Sequence, residues 1–405
     1  MRSALAVGIA LVMAAGAHAE SPQVMMYGEG LHDLASDALL LDDGGIVVVG
    51  ETVVALEPEV VRHTLLLKLD AEGHLLWSRT YGGDRSSRGH GVLACDGGGF
   101  MVSGAIQSED AADFDVYLLR VDSDGNELWS RTFGTSFDEV GGRLVECGGA
   151  GYWIVGNSVD PNDVVADSSA AGYAGFVGRS NIYVVHTDLQ GRELWSHRME
   201  SNANTIAFGS APADDSIIIL GGILHYPAND NDILLTKFNI DGDVVWSRTW
   251  TAESALGYSI ISTTDGGCLI SGLRSPAGGS VLTASDALLI KVDRNGNEAW
   301  LTVYGEPDRM ETADTVTETA DGYFVTCGWQ TPDLYTSGDD ILLAAFDRSG
   351  ALLWEDLLPS AAHNLHVRIF QCSGGSHVIV GSARQPGQPF RIQRIKIDPH
   401  DEHAN

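Results

Sequence analysis

Apolar and polar positions fall into short blocks that recur along the chain with fixed punctuation. One block is a turn followed by an apolar run ending in glycine, and it occurs seven times: DGGIVVVG, DGGGFMVSG, CGGAGYWIVG, DDSIIILG, DGGCLISG, ADGYFVTCG and SGGSHVIVG. A second block is an alternating segment that stops at Asp or Asn, as in HTLLLKLD, DVYLLRVD, NIYVVHTD, DILLTKFN, DALLIKVD, DILLAAFD and RIQRIKID. Six of these lead into a turn with glycine four residues before tryptophan, at Gly73/Trp77, Gly125/Trp129, Gly191/Trp195, Gly242/Trp246, Gly296/Trp300 and Gly350/Trp354. Short runs of period 2, rich in Val, Ile and Leu and bounded by Gly and Asp, predict strands rather than helices.

The glycines that end the first block are Gly50, Gly104, Gly156, Gly221, Gly272, Gly328 and Gly381, separated by 51 to 65 residues. Each period supplies four strands, A (GHGVLAC), B (FMVSG), C (VYLLRV) and D (ELWSRTF) in the second repeat. Repeats of this size with four short strands predict an all-β, seven-bladed β-propeller of four-stranded antiparallel blades, one domain over residues 20–405. The seventh repeat has no strand D. The segment VMMYGE near the N-terminus matches the strand-D endings RTYGG and LTVYGE, so residues 24–28 are expected to complete the last blade and cover its open edge.

The turn also invites a chemical reading. In VDSDGNELWSRTFG, residues 121–134, Asp122, Asp124, Asn126 and Glu127 surround Gly125 as oxygen ligands surround calcium. Asp124 becomes Glu72, Gln190, Asn295 and Ser349 in other repeats, whereas a calcium site needs six or more oxygens. A hairpin turn with a left-handed glycine, and no metal, is the expectation. The four lysines, Lys68, Lys237, Lys291 and Lys396, all stand two residues before the turn residue, with Arg120 in a fifth repeat, which predicts structural stems packed between sheets. Cys95, Cys147 and Cys372 each lie nine residues before a strand-ending glycine. Equivalent positions in different blades are too distant for a disulfide, so all five cysteines are expected to be free thiols.

Residues 1–19 have a basic Arg2, an apolar stretch from Ala4 to Ala15 and a small-residue Ala17-His18-Ala19 end, the pattern of a signal peptide. A secreted or periplasmic protein is expected. Net charge is −31, which disfavours nucleic acid and anionic membranes, and no later stretch is apolar enough to insert. The expected partner is a protein or polysaccharide, with the chain itself monomeric and no cofactor bound.

The repeat resembles those of secreted bacterial and archaeal β-propeller proteins with the pattern DGGY, KLD, G-x-x-x-W, YGG. Trp77-Ser-Arg-Thr-Tyr81-Gly-Gly83 and Asp265-Gly-Gly267 carry the resemblance, which covers nearly the whole mature chain and implies the fold. It is also distantly similar to the tryptophan-docking repeat of quinoprotein dehydrogenases. Here the Asp-to-Gly step is one residue shorter and no adjacent Cys-Cys pair is present, so the resemblance implies no quinone.

In such a blade the A–B and C–D turns share one rim and the B–C and D–A loops the other. The first set are tight glycine turns; the second are long and variable, which marks the candidate binding face. The longest loop, 157–181, carries Tyr173 and Phe176, and Tyr226, Trp329 and Tyr335 are further aromatics suited to sugar stacking. Strand A is expected nearest the axis. Fifteen residues before each strand-B glycine stand Ala35, Gly89, Gly141, Ile206, Gly257, Ala313 and His366, mostly small; one residue later come Ser36, His90, Gly142, Ala207, Tyr258, Asp314 and Val367. His90, His366, Tyr258 and Arg88 are therefore candidate catalytic groups at a channel mouth, with Asp314, Arg309 and His363 as candidate ligand-binding groups. No G-x-S-x-G, H-E-x-x-H or phosphate loop is present. Two functions fit: a binding or scaffold module for a protein or glycan using the B–C/D–A face, or a glycan-active enzyme, a polysaccharide lyase with His, Tyr and Arg abstracting a proton beside a carboxylate.

Overall fold

The computed structural model describes residues 22–57, 59–109, 113–160, 179–225, 231–251, 254–275, 285–306, 309–331, 339–360 and 362–397. These form seven separate antiparallel sheets, the blades of a seven-bladed β-propeller. Blade 1 runs from strand A (Asp33–Leu40) through B (Ile46–Ala55) and C (Val61–Leu69) to D (Leu75–Tyr81). The next four blades repeat that order, with A strands Ser87–Ala94, Asp138–Glu146, Asn204–Ala213 and Ala255–Ser262. In blade 6 strand A is split into Met310–Glu311 and Thr315–Glu318, and blade 7 begins with His363–Gln371. Each strand A touches the next around the whole ring, so the seven A strands line the axis. The signal-peptide segment, Tyr173, Phe176, Tyr226 and Tyr335 lie outside the described residues.

The N-terminal strand, Gln23–Tyr27, is the missing strand D of blade 7. It pairs antiparallel with Arg391–Ile397 in the register Gln23↔Lys396 to Tyr27↔Ile392. Chain ends thus share one sheet, as the strand count predicts, with the strand one residue earlier than expected.

Strands B and C are buried almost throughout, whereas strand D is largely exposed apart from its tryptophan and its last residue. The tryptophan spacing has an inter-blade cause. Trp77 lies on Gly125 of the next blade, Trp129 on Gly191, Trp195 on Gly242, Trp246 on Gly296 and Trp300 on Gly350. A Cβ at those glycines would stand 2.4 to 3.0 Å from the indole ring, and their φ values of 71° to 87° favour glycine independently. Indole nitrogens donate across the same joint, Trp195 Nε1 to Ile240 O at 3.2 Å and Trp300 Nε1 to Arg348 O at 2.8 Å. At the seam between blades 7 and 1, Met25 and Arg394 cover Gly73 instead, and Tyr27 donates to Gly73 O at 2.6 Å. Burial pushes that hydroxyl up to about 12.

The strand-B glycines answer to a different constraint. Strand A carries a bulge, or in blade 6 a break, near each of them, and at most of them a strand-A carbonyl enters the space a side chain would need. A Cβ on Gly50, Gly104, Gly272 or Gly328 would stand 1.8 to 2.0 Å from a strand-A carbonyl oxygen. The small residues fifteen positions earlier are crowded by the neighbouring blade rather than by the axis: a Cβ on Gly141 would meet Gly104 O at 2.2 Å.

Asp122 Oδ1 accepts the backbone N–H groups of Asp124 (2.9 Å) and Asn126 (2.8 Å), and Oδ2 accepts from the Asn126 amide (2.9 Å). Asp188, Asp293 and Asp347 repeat these bonds, so the carboxylate serves the turn. Asp122→Ala should lower the melting temperature by the same modest amount with or without millimolar calcium. A calcium-dependent rise in the wild type that the substitution abolishes would overturn that assignment. Lys291 is likewise structural, with Nζ 2.9 Å from Asp265 and almost fully buried. All five cysteines are unpaired thiols in five different blades.

Candidate functional site

The bulge residues are Ser36, His90, Gly142, Phe208, Tyr258, Asp314 and Val367, all half-buried around the axis. Blade 4 corrects the sequence alignment by one residue. Ala207 pairs with Gly221 and the register shifts after it, so Phe208, not Ala207, takes the bulge. Phe208 packs edge-on against Tyr258 of blade 5, with centroids 6.2 Å apart.

One residue beyond the bulge, three blades carry charge. Asp37 of blade 1 is buried and holds two guanidinium groups on one oxygen, Arg368 Nε of blade 7 at 2.6 Å and Arg143 of blade 3 at 2.7 Å. The Arg143 contact, made by Nη1, is an ion pair without good hydrogen-bond alignment. Burial opposes charge on Asp37, but Arg368 and Arg143 outweigh it and hold the carboxyl below its usual range. The cluster carries one positive charge in excess. Asp37, Arg143 and Arg368 were not singled out by sequence, yet the signal was present: all three are charged residues that lie thirteen positions before a strand-B glycine.

A cavity of about 250 Å³ opens beside this cluster, bounded by Ser36, His90, Arg143, Asn157 and Phe208 among others. His90 Nδ1 bonds the Gly141 carbonyl of blade 3, which makes Nδ1 the protonated nitrogen of a neutral ring. Burial lowers His90 to about 4, the Gly141 bond opposing this and Arg88 and Arg143 adding to it. At neutral pH it presents a lone pair on Nε2.

The other predicted residues separate into different neighbourhoods. His366 is fully buried, with Nδ1 3.3 Å from Asp314 Oδ2. Burial opposes its protonation, but Cys327 and then Asp314 outweigh burial and raise it. Arg88 lies 3.5 Å from Glu51 and over the Phe114 ring. Arg309 pairs with Glu306 at 3.3 Å on an exposed loop, and His363 with Asp339 at 3.3 Å. Trp329 sits within strand B of blade 6 (Phe324–Thr331), not in a loop. His90 alone among the four catalytic candidates lines the cavity beside Arg143. Among the described residues, Asp70, Glu72 and His74 are the acidic and histidine groups close enough to share a metal, but His74 and Asp70 already bond each other at 3.0 Å.

No protein-family profile matches the chain, and no curated protein does. Among solved structures it is similar to puromycin hydrolase, with a TM-score of 0.53 and 13% identity over 89% of this chain and 51% of that one. The chain therefore spans about half the length of that protein. It is also similar to the β-propeller domain of the Trilobed protease from Pyrococcus furiosus, with a TM-score of 0.50 and 10% identity over 91% of this chain and 94% of that one. That domain has an open velcro topology, whereas here the N-terminal strand closes the ring. Identities this low speak for the propeller fold alone.

Proposed function

We propose that the protein is an exported binding module that takes a carboxylate group of a protein or glycan ligand at the mouth of its axial channel. The observation that carries this reading is the Arg143–Asp37–Arg368 cluster. Two guanidinium groups share one buried carboxylate, which leaves the cluster net positive, and one of them, Arg143, lines a cavity whose remaining wall offers the neutral His90, Asn157 and the Phe208 ring. Guanidinium donors match carboxylate acceptors in geometry as well as charge. The rest of the chain is strongly acidic, so anions are repelled elsewhere and the recognition is local.

Calorimetry with oligouronates and acidic peptides, set against their neutral counterparts, tests the reading. Binding should require the carboxylate and weaken at least about tenfold in Arg143→Gln, a charged hydrogen bond being worth roughly 1.5–3 kcal/mol. Because salt screens the long-range repulsion, affinity should hold or rise as salt approaches the physiological range. Equal affinity for neutral counterparts would overturn it.

One observation favours the alternative, a glycan-active enzyme with polysaccharide lyase chemistry. His90 is a neutral imidazole with its tautomer fixed, beside an arginine able to hold a uronate carboxylate. Against it, His366 and Arg88 pair with acidic groups outside this cavity, whereas catalysis needs convergence on one substrate position.

A further inference from the structure

Every joint between blades sets the start of one strand C near the start of the next strand A, and polar groups latch it. Thr64 N donates to Ser87 Oγ at 2.9 Å, Ser180 N to Asn204 Oδ1 at 2.9 Å, and Arg391 pairs with Asp33 at 2.9 Å. Two joints instead bring carboxylates together. Between blades 2 and 3, Asp115 and Glu139 both approach Gly134, and Glu139 is satisfied by Thr135 N (2.8 Å), Thr135 Oγ1 (2.6 Å) and Ser158 Oγ (2.9 Å).

Between blades 5 and 6 the arrangement recurs without that satisfaction. Asp286 Oδ1 and Glu311 Oε2 stand 2.7 and 2.9 Å from the point a Cβ on Gly305 would occupy. Glu311 Oε1 accepts from Gln330 Nε2 at 2.9 Å and Glu306 N at 3.3 Å. Its Oε2 takes no hydrogen bond from any described residue, although Glu311 is only 1% exposed. An unsatisfied buried carboxylate oxygen is costly and asks for a partner. The site opens into a cavity of about 280 Å³ bounded by Glu306, Glu311, Glu355, Gln330, the Tyr304 ring and Leu357, among others.

We propose that this inter-blade cavity binds an alkylguanidinium group, the chemistry of an arginine side chain. A bare metal ion fits less well. Oxygens on one calcium ion lie no more than about 5 Å apart, given bonds of roughly 2.3–2.6 Å, and no three acidic groups of this cavity converge within 4.8 Å. A guanidinium spreads five donors over a plane and reaches more widely spaced acceptors. Tyr304, whose hydroxyl donates to Glu355 Oε2 at 2.7 Å, and Leu357 supply apolar wall for the methylene stem. Burial raises both Asp286 and Glu311 above the ordinary carboxyl range, so a cation binds in competition with protons and affinity rises with pH.

Agmatine titrated into the full chain, followed by calorimetry and thermal shift, is the test. Saturable binding with a raised melting temperature is expected, at least about tenfold weaker in Glu311→Gln and weakened also in the exposed variant Glu355→Gln. Glu139→Gln, at the satisfied joint, and Arg143→Gln, in the channel, should leave agmatine affinity unchanged, which separates this site from the channel site. No binding, wild-type affinity retained in both Glu311→Gln and Glu355→Gln, or Glu311-dependent stabilisation by calcium in place of agmatine would each overturn the proposal.

Discussion

Gly104→Ala is expected to remove at least about 3 kcal/mol of stability, the upper end of what overpacking a filled interior costs. A Cβ there would stand 1.9 Å from Arg88 O and 3.1 Å from Gly89 Cα, both backbone atoms of the bulged strand A. Backbone cannot swing aside as a side-chain terminus can, so the strand pair must separate or the bulge must move. Gly221→Ala provides the contrast. Its register differs by one residue, and its nearest strand-A carbonyl is 3.0 Å away, with the movable Ile182 Cδ1 at 2.8 Å. Denaturant midpoints should place Gly104→Ala well below Gly221→Ala. Indistinguishable midpoints would mean that the bulge is not what requires glycine.

Asp37→Ala should cost about 3–5 kcal/mol at neutral pH, because it strands two guanidinium groups at the axis without their shared carboxylate. The cost depends on pH with a definite sign. The folded carboxyl titrates below the unfolded value of 3.8, so its stabilisation is fully present above that value and is lost as pH falls through the folded one. Melting curves of wild type and variant should therefore converge in acid and diverge toward neutrality. A difference that stays constant across the acid range would show that Asp37 does not contribute through its charge.

The fold was legible because its repeated residues each answer to a local geometric demand. Left-handed turns, bulge-facing glycines and docked tryptophans leave the same mark in every blade, and an N-terminal match to strand D exposed the closure. Blade 4 shows the limit of counting: a one-residue register shift moved the axial position from Ala207 to Phe208, which no spacing rule detects. The site was harder to read for a related reason. His90 was legible because it follows the small strand-A position expected nearest the axis, but Asp37, Arg143 and Arg368 come from repeats far apart in sequence and acquire meaning only when the ring brings them to one oxygen. Trp329 shows the converse, an aromatic residue picked out for its type that strand B absorbs.

The most direct test of the account is the fate of a captured ligand. The protein should be incubated at length with whichever acidic glycan or peptide it binds, and the ligand recovered and analysed by mass and ultraviolet absorbance, alongside His90→Ala and Arg143→Gln. The account predicts ligand returned intact, with capture lost in Arg143→Gln and retained in His90→Ala. An unsaturated uronate or a cleaved peptide, formed by the wild type and absent with His90→Ala, would contradict it and make the channel an active site.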